Sequence, residues 1–367
     1  MTEALAVEFE THRPRLFGLA YRMLGSAQEA EDAVQDAYLR WNGAERAAIA
    51  HPAAWLAKVV TNLCLNRLTS ARATREEYPG PWLPEPVLTG DGTAGPLGPF
   101  GAPGPLESAE RREAVSLALL LLLERLTPVE RAVYVLREAF AYSHREIAAV
   151  LEVSEANSRQ LYRRAAARVA AVPGDGPGGE RVAAVPGDGP DGGRAAVSGD
   201  GPGGGRAAAV SGGGPHGRRA AVSGGRPVAG VEQHRGLVES FLTAAREGDL
   251  AGLEKLLAAG VTYTSDGGGV VSAARRPILG REKVLRFLAG GLDGFAARLE
   301  LVPAEVNGAA ALLALDGGTL VGTITFETSA EAGPWTITGM HAVVNPAKLA
   351  FAARQLSHSG RPTGSPP

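Results

Sequence analysis

From Val7 to about Arg75 the apolar positions recur three and four residues apart, the spacing that lines one side of a helix. Leu16, Leu19, Ala20, Met23 and Leu24 form one stripe and Ala30, Ala33, Val34, Ala37, Tyr38 and Trp41 a second. Trp55, Leu56, Val59, Val60, Leu63 and Leu68 form a third behind Pro52, which suits a first helical turn. One all-α bundle over residues 5–76 is the expectation. A second helical block is expected over residues 106–170. Within it Thr127-Pro128-Val129-Glu130 joins an N-cap hydroxyl, a proline at the first helical position and a glutamate at the third. Ser143 with Glu146 repeats the cap, and Ser154 opens another helix after the short break Leu151-Glu152-Val153. Helix, tight turn, helix predicts a helix-turn-helix, with a positive φ at Glu152 that costs about 1 kcal/mol where glycine is common.

The pattern changes between and after these blocks. Residues 77–105 read as a linker in which Pro79, Pro81, Pro84 and Pro86 fix φ and withhold four backbone donors around Trp82 and Leu83, giving a stiff ribbon that carries an anchor. Residues 171–230 fall into imperfect Ala-Ala-Val, Gly, Pro and Ser repeats with little to form a core, and read as a disordered tether. Over 231–350 two short helices are followed by a strand at Val261-Thr262-Tyr263-Thr264, a helix around Glu282 to Leu288, and β-rich segments with a Gly317-Gly318 turn. That order predicts an α+β domain with a curved antiparallel sheet. Residues 351–367 read as a tail.

At 367 residues and 45% hydrophobic content the chain has enough for two or three cores. The longest apolar run, Ala114 to Leu123, is about half a bilayer span, and the first ten residues lack a signal-peptide pattern, so a cytoplasmic protein is expected. A single cysteine, Cys64, excludes an internal disulfide and a thiolate metal cluster, and no cofactor or metal site is expected. The net charge of -2 does not itself suggest a nucleic-acid binder, so local charge decides.

Three clusters carry candidate chemistry. Glu29, Asp32 and Asp36 share a helical face beside the second apolar stripe; this is a docking strip for a basic partner or, as spacing alone favours, a solvated flank. The helix from Glu155 to Val169 carries Asn157, Ser158, Arg159, Gln160, Arg163, Arg164 and Arg168 against one glutamate, residue types that suit base edges early and phosphates later. DNA binding is the reading those residues favour over a plain basic surface. Lys58, Arg67, Arg72 and Arg75, with Asn62, lie near Trp41, Trp55 and Tyr78, a weaker pattern that can hold unstacked bases. In the last domain Ser265-Asp266-Gly267-Gly268-Gly269 reads as ordinary hairpin chemistry, and an acid-base role for Asp266 lacks a partner. The chain is expected not to be an enzyme.

Together these residues resemble the extracytoplasmic-function sigma factors of bacterial RNA polymerase, in the subgroup with a fused SnoaL-like C-terminal domain. Gln28-Glu29-Ala30-Glu31-Asp32-Ala33-Val34-Gln35-Asp36-Ala37 looks like the region-two segment that grips the polymerase clamp. The run from Ala54 to Leu68 looks like the helix that melts and reads the minus-ten element, and Ser154 to Arg168 resembles the region-four helix that reads the minus-thirty-five element. Trp82-Leu83-Pro84-Glu85-Pro86, Asp266-Gly267-Gly268-Gly269 and Asn345-Pro346-Ala347-Lys348-Leu349 match three signatures of the subgroup. Ala347 replaces its usual aspartate, and Val270 stands where a basic residue is common. The resemblance implies two all-α sigma domains plus an α+β NTF2/SnoaL-like cone, core polymerase and promoter DNA as partners without a membrane, and a C-terminal domain that tunes the sigma core through these signatures. The alternative is a one-component helix-turn-helix regulator with a small ligand in the cone.

Overall fold

The structure is a computed structural model; it describes residues 2–45, 49–76, 78–89, 116–171, 228–291, 298–330 and 334–358. The expected linker residues 90–105, the block start at 106–115 and the repeats at 172–227 lie outside these. Helices α1 (Thr2–Leu24), α2 (Ala27–Gly43) and α3 (Pro52–Glu76) form the N-terminal bundle. Their stripes meet in a core containing Phe17, Leu19, Tyr21, Met23, Trp41, Leu56, Val60 and Cys64, all buried. Trp41 is fully enclosed and packs at 5.8 Å on Trp55; truncating so large a side chain to alanine typically costs about 3–5 kcal/mol.

The second helical block is α4 (Leu117–Leu123), α5 (Pro128–Glu138), α6 (His144–Leu151) and α7 (Glu155–Ala170). Both expected capping boxes form, Thr127 with Glu130 and Ser143 with Glu146, and Ser154 caps α7 through the Asn157 amide. Glu152 ends α6 at φ 56°, the left-handed turn expected from its position. The Val153 amide closes that turn onto the Ala148 carbonyl at 3.1 Å. Val133, Leu136, Ile147, Leu161 and Ala165 belong to the same continuous core as the bundle, because α1 and α3 pack on α5 and α3 also on α6.

The C-terminal domain comprises α8 (Val228–Glu247), α9 (Leu250–Leu256), β1 (Leu257–Asp266), β2 (Ile278–Leu279), α10 (Arg281–Gly291), β3 (Glu300–Val306), β4 (Ala309–Asp316), β5 (Thr319–Ser329), β6 (Thr336–Val343) and α11 (Pro346–His358). Its six strands run in the order β2-β1-β6-β5-β4-β3. The sheet is mixed, correcting the antiparallel expectation: β1 pairs with β6 in parallel, and the other pairings are antiparallel. Gly317 and Gly318, both at positive φ, make the predicted β4–β5 turn.

Side-chain alternation gives the sheet two apolar faces. On β4, Leu312 joins Phe241, Leu253, Val284 and Phe326 under α8–α10, whereas Ala311 and Leu313 join Leu83, Leu88, Leu349 and Ala352 on the opposite side. Two boundaries move. Helix α8 begins three residues inside the expected tether, at Val228. The expected tail at 351 is the middle of α11, with Phe351, Ala352 and Gln355 buried.

Candidate functional site: the linker junction and the helical faces

Asp266 is 1% exposed and every direction around its carboxylate is filled by a donor. Oδ1 accepts from the Tyr78 hydroxyl at 2.5 Å and the Gly268 amide at 3.1 Å; Oδ2 accepts from the Leu83 amide at 2.9 Å and Lys348 Nζ at 2.7 Å. Lys348 Nζ also donates to the Leu83 carbonyl at 2.5 Å and sits 4.0 Å from the Trp82 ring centroid and 4.9 Å from that of Tyr78. A charge pair buried this deeply stabilises only when its remaining valences are met, and here an aromatic cage and backbone groups meet them. Asn345 closes the ring: its Nδ2 donates to the Tyr78 hydroxyl at 2.9 Å while its Oδ1 accepts the Ala347 amide at 3.0 Å, capping the first turn of α11. Burial and then the neighbouring carboxylate push the Tyr78 phenol well up, so it remains a donor. The three sequence signatures therefore converge on one buried junction, and the Asp266 turn, which leads from β1 toward its antiparallel neighbour β2, also carries the carboxylate at the centre of it. Pro346 is exposed at the start of α11, and Leu349 is buried on the sheet with Leu83.

The linker's other side faces the bundle. Glu85 accepts from Ser26 Oγ at 2.7 Å and from the Ala27 and Gln28 amides at 2.8 and 3.1 Å, placing a carboxylate on the N-terminal amides of α2. Burial raises the Glu85 pKa, opposed by those bonds and by the charge of Lys348. The Glu85 amide donates to the Gly25 carbonyl at 2.9 Å, and the Tyr21 hydroxyl donates to the Glu85 carbonyl at 2.5 Å while accepting from Asn307 Nδ2 at 2.7 Å. Gly25, at φ +67°, lets Trp82 lie close: a Cβ there would stand 2.7 Å from the indole. Beyond Pro84 and Pro86, Leu88 pairs antiparallel with Val306, extending the free edge of β3, and Gln355 brackets the Leu88 amide and carbonyl at 2.9 and 3.1 Å. Helix α11 also reaches the bundle through Phe351 on Phe17 and Arg354 on Glu31.

On the helix-turn-helix, Asn157, Arg159, Gln160, Arg163 and Arg164 are exposed along one side of α7. Ser158 is a correction: expected at base edges, it is fully buried and lies 3.1 Å from His144 Nδ1, bracing α7 against α6. Arg164 and Arg168 both pair with Glu130, itself buried as the capping residue of α5. Arg67 is a second correction to a freely presented DNA contact. Its guanidinium bonds Asp36 at 2.8 Å and the Glu29 carbonyl at 3.1 Å and approaches Asp32 at 3.9 Å, so it staples α3 to the acidic strip. Asp32 stays exposed while Glu29 and Asp36 are partly so. Lys58 points at the helix-turn-helix turn and pairs with Glu152 at 3.1 Å; Asn62 is half-buried beside it in sequence, and the Arg72 side chain lies outside the described residues.

Sequence reasoning missed Tyr21, Asn307 and Gln355, which bond the linker from neighbouring elements, and it set Tyr78 beside the basic cluster, whereas this linker residue bonds Asp266 and Asn345. It also missed Arg131, buried and donating to the Met23 carbonyl at 2.7 Å and to Glu124 at 2.8 Å between the two helical blocks. A period of three and four in Leu349, Ala352, Ala353 and Leu356 was the available signal for α11.

The family model described as Sigma-70 region 2 matches residues 9–74, and that described as Sigma-70, region 4 matches residues 116–169. The "ECF RNA polymerase sigma factor SigJ" of Mycobacterium tuberculosis is 35% identical over 318 residues, 84% of this chain and 82% of that protein. The chain belongs to the extracytoplasmic-function RNA polymerase sigma factors. The crystal structure of M. tuberculosis SigJ aligns with 94% of this sigma factor and 98% of its own chain, with TM-score 0.61 and 28% identity. "Probable ECF RNA polymerase sigma factor SigI" from the same species is 33% identical over 168 residues, 46% of this chain and 54% of that protein. The sigma factor thus has an α1–α3 region 2, an α4–α7 region 4 and a SnoaL-like, NTF2-like α+β C-terminal domain. Among the described residues no helix is long and apolar enough to cross a membrane.

Proposed function

We propose that this sigma factor, which binds core RNA polymerase and promoter DNA as its family does, is tuned by its own C-terminal domain through the linker. The observation that carries this is Asp266, which holds Lys348 from one signature and the Leu83 amide from another in one buried bond set. The linker is then read by both neighbours: Leu83 and Leu88 belong to the sheet, and Glu85 belongs to α2. In this reading Glu29, Asp32 and Asp36 dock on the polymerase with Arg67 bracing Asp36, Lys58, Asn62 and Arg72 serve the minus-ten element, and Asn157, Arg159, Gln160, Arg163 and Arg164 contact the minus-thirty-five element. Catalysis at Asp266 is not favoured, since protein donors fill its carboxylate.

Run-off transcription with purified core polymerase tests the reading. The wild-type chain is expected to confer promoter-specific initiation, and Asp266→Asn with Lys348→Met to change its output several-fold while regions 2 and 4 stay folded. Equal output from the two chains defeats the tuning; no specific transcript from either defeats the initiation role.

A further inference from the structure

The C-terminal domain carries one concentrated basic stretch. Between Val270 and Arg286 stand Arg275, Arg276, Arg281, Lys283 and Arg286 against the single acid Glu282. Arg286 is paired with that glutamate, and Arg281 lies at the start of α10 with its Nε buried and without a partner among the described residues. Arg275 and Arg276 are exposed, and no ion pair among the described residues takes either.

Their backbone is held firmly. Buried Ser265, next to the junction carboxylate, accepts the Ala274 amide on Oγ at 2.9 Å, and the Val270 and Val271 amides both close onto the Gly267 carbonyl at 3.1 Å. Pro277 follows and fixes φ. The loop also touches the linker where α3 releases it. A Cβ on Gly80 would stand 3.7 Å from Arg275 Cα, and one on Gly269 would stand 2.6 Å from the Pro79 ring. Two unpaired guanidinium groups are thus mounted on ordered backbone four residues beyond the end of α3.

We propose that Arg275 and Arg276 contact the phosphate backbone of promoter DNA, so that the C-terminal domain extends the nucleic-acid surface of α3. The inference rests on the reading of α3 as the minus-ten helix. Fourteen residues of helix separate Asn62 from Glu76, about 21 Å at ~1.5 Å per residue. At ~3.4 Å per base pair, that places the loop's contact at most about six base pairs to one side of the bases nearest Asn62. Guanidinium forks suit phosphate oxygens, and such contacts add affinity without sequence preference. This is a physical route from the C-terminal domain to promoter affinity that needs no movement of the linker.

The test is the salt dependence of binding between holoenzyme and duplex promoter DNA, measured by fluorescence anisotropy with the full chain and with Arg275→Gln/Arg276→Gln. Each phosphate contact contributes about 0.9 to the slope of log K against log salt. The double variant is therefore expected to flatten the slope by about 1.8 and to weaken binding on the order of tenfold at 0.15 M salt, equally for promoter and unrelated duplex. Arg275→Lys/Arg276→Lys should restore the slope. An unchanged slope overturns the proposal. So does a variant that loses affinity for core polymerase while its DNA slope stays intact, which would assign the pair to a polymerase contact. Wild-type holoenzyme that fails to initiate from the promoter would instead remove the minus-ten reading of α3.

Discussion

Lys348 and Asp266 show why a buried charge pair is better judged by what it leaves behind than by its attraction. Lys348→Met strands the Asp266 carboxylate in a site that is 1% exposed, and breaking such a pair costs about 3–5 kcal/mol. The companion Asp266→Asn should return part of that loss, because the carboxylate that needs the ammonium is gone. A double-mutant cycle on urea midpoints measures this; additive losses would mean that the two groups are not coupled. His144 offers a pH test. Its pKa is lowered by burial first and then by Arg137, Arg159 and Arg163, with Glu155 acting the other way. The unfolded chain therefore takes up the proton first as pH falls. Stability is fully present above the ordinary histidine value of 6.5, declines as pH drops below it, and levels off beneath the folded-state value. Melting temperature between pH 7.5 and 5 should slope more for wild type than for His144→Gln, and parallel curves would remove His144 from the account.

Among the elements, the helical blocks were readable because periodicity and caps are local. Thr127 with Glu130, Ser143 with Glu146 and the strained Glu152 all stand as the residues dictate. The junction was readable only in part. Trp82 and Leu83 looked like anchors, but what receives them comes from residues up to some 265 positions away, which no window of sequence joins. The same non-locality explains the sheet: nothing in β1 or β6 alone announces a parallel pairing. Ser158 was misplaced because a polar residue on a basic helix looks like a reader, whereas here it is the brace beneath one. Arg67 was misplaced because the basic cluster and the acidic strip were weighed separately, and the bundle brings them together. Gly25 tests the linker as an element. Gly25→Ala meets both a left-handed φ, worth about 1–2 kcal/mol, and the Trp82 ring at 2.7 Å. Trp82 emission should shift to the red while the α1–α3 core stays folded, judged against a Trp82→Phe control; unmoved emission would show that the linker is not seated on the bundle.

At the scale of the whole molecule, regions 2 and 4 share one core, and the C-terminal domain touches region 2 through Phe351, Arg354 and the clasped linker. Polar contacts add to that shared core between the two regions: Arg131 reaches the Met23 carbonyl, Arg15 reaches the Phe140 carbonyl, and Lys58 meets Glu152 at the surface. An exposed pair such as the last is worth at most about 1 kcal/mol and is weakened by salt. Glu152→Gly removes it and relieves a left-handed φ together, so its effect on stability should be near zero, whereas its effect on the separation of the regions should not.

That packing sets a problem of length. Two promoter elements centred roughly 25 base pairs apart lie on the order of 85 Å from one another along B-form DNA. Helices α3 and α6 touch. If α3 and α7 each read one element, as proposed above, no single rigid arrangement of this core lies on both, and the bound molecule is a far longer object than the free one. Dyes on Leu39 and Ala149, each exchanged for cysteine in a Cys64→Ala background, should report a short distance in solution and almost none of that energy transfer on the promoter.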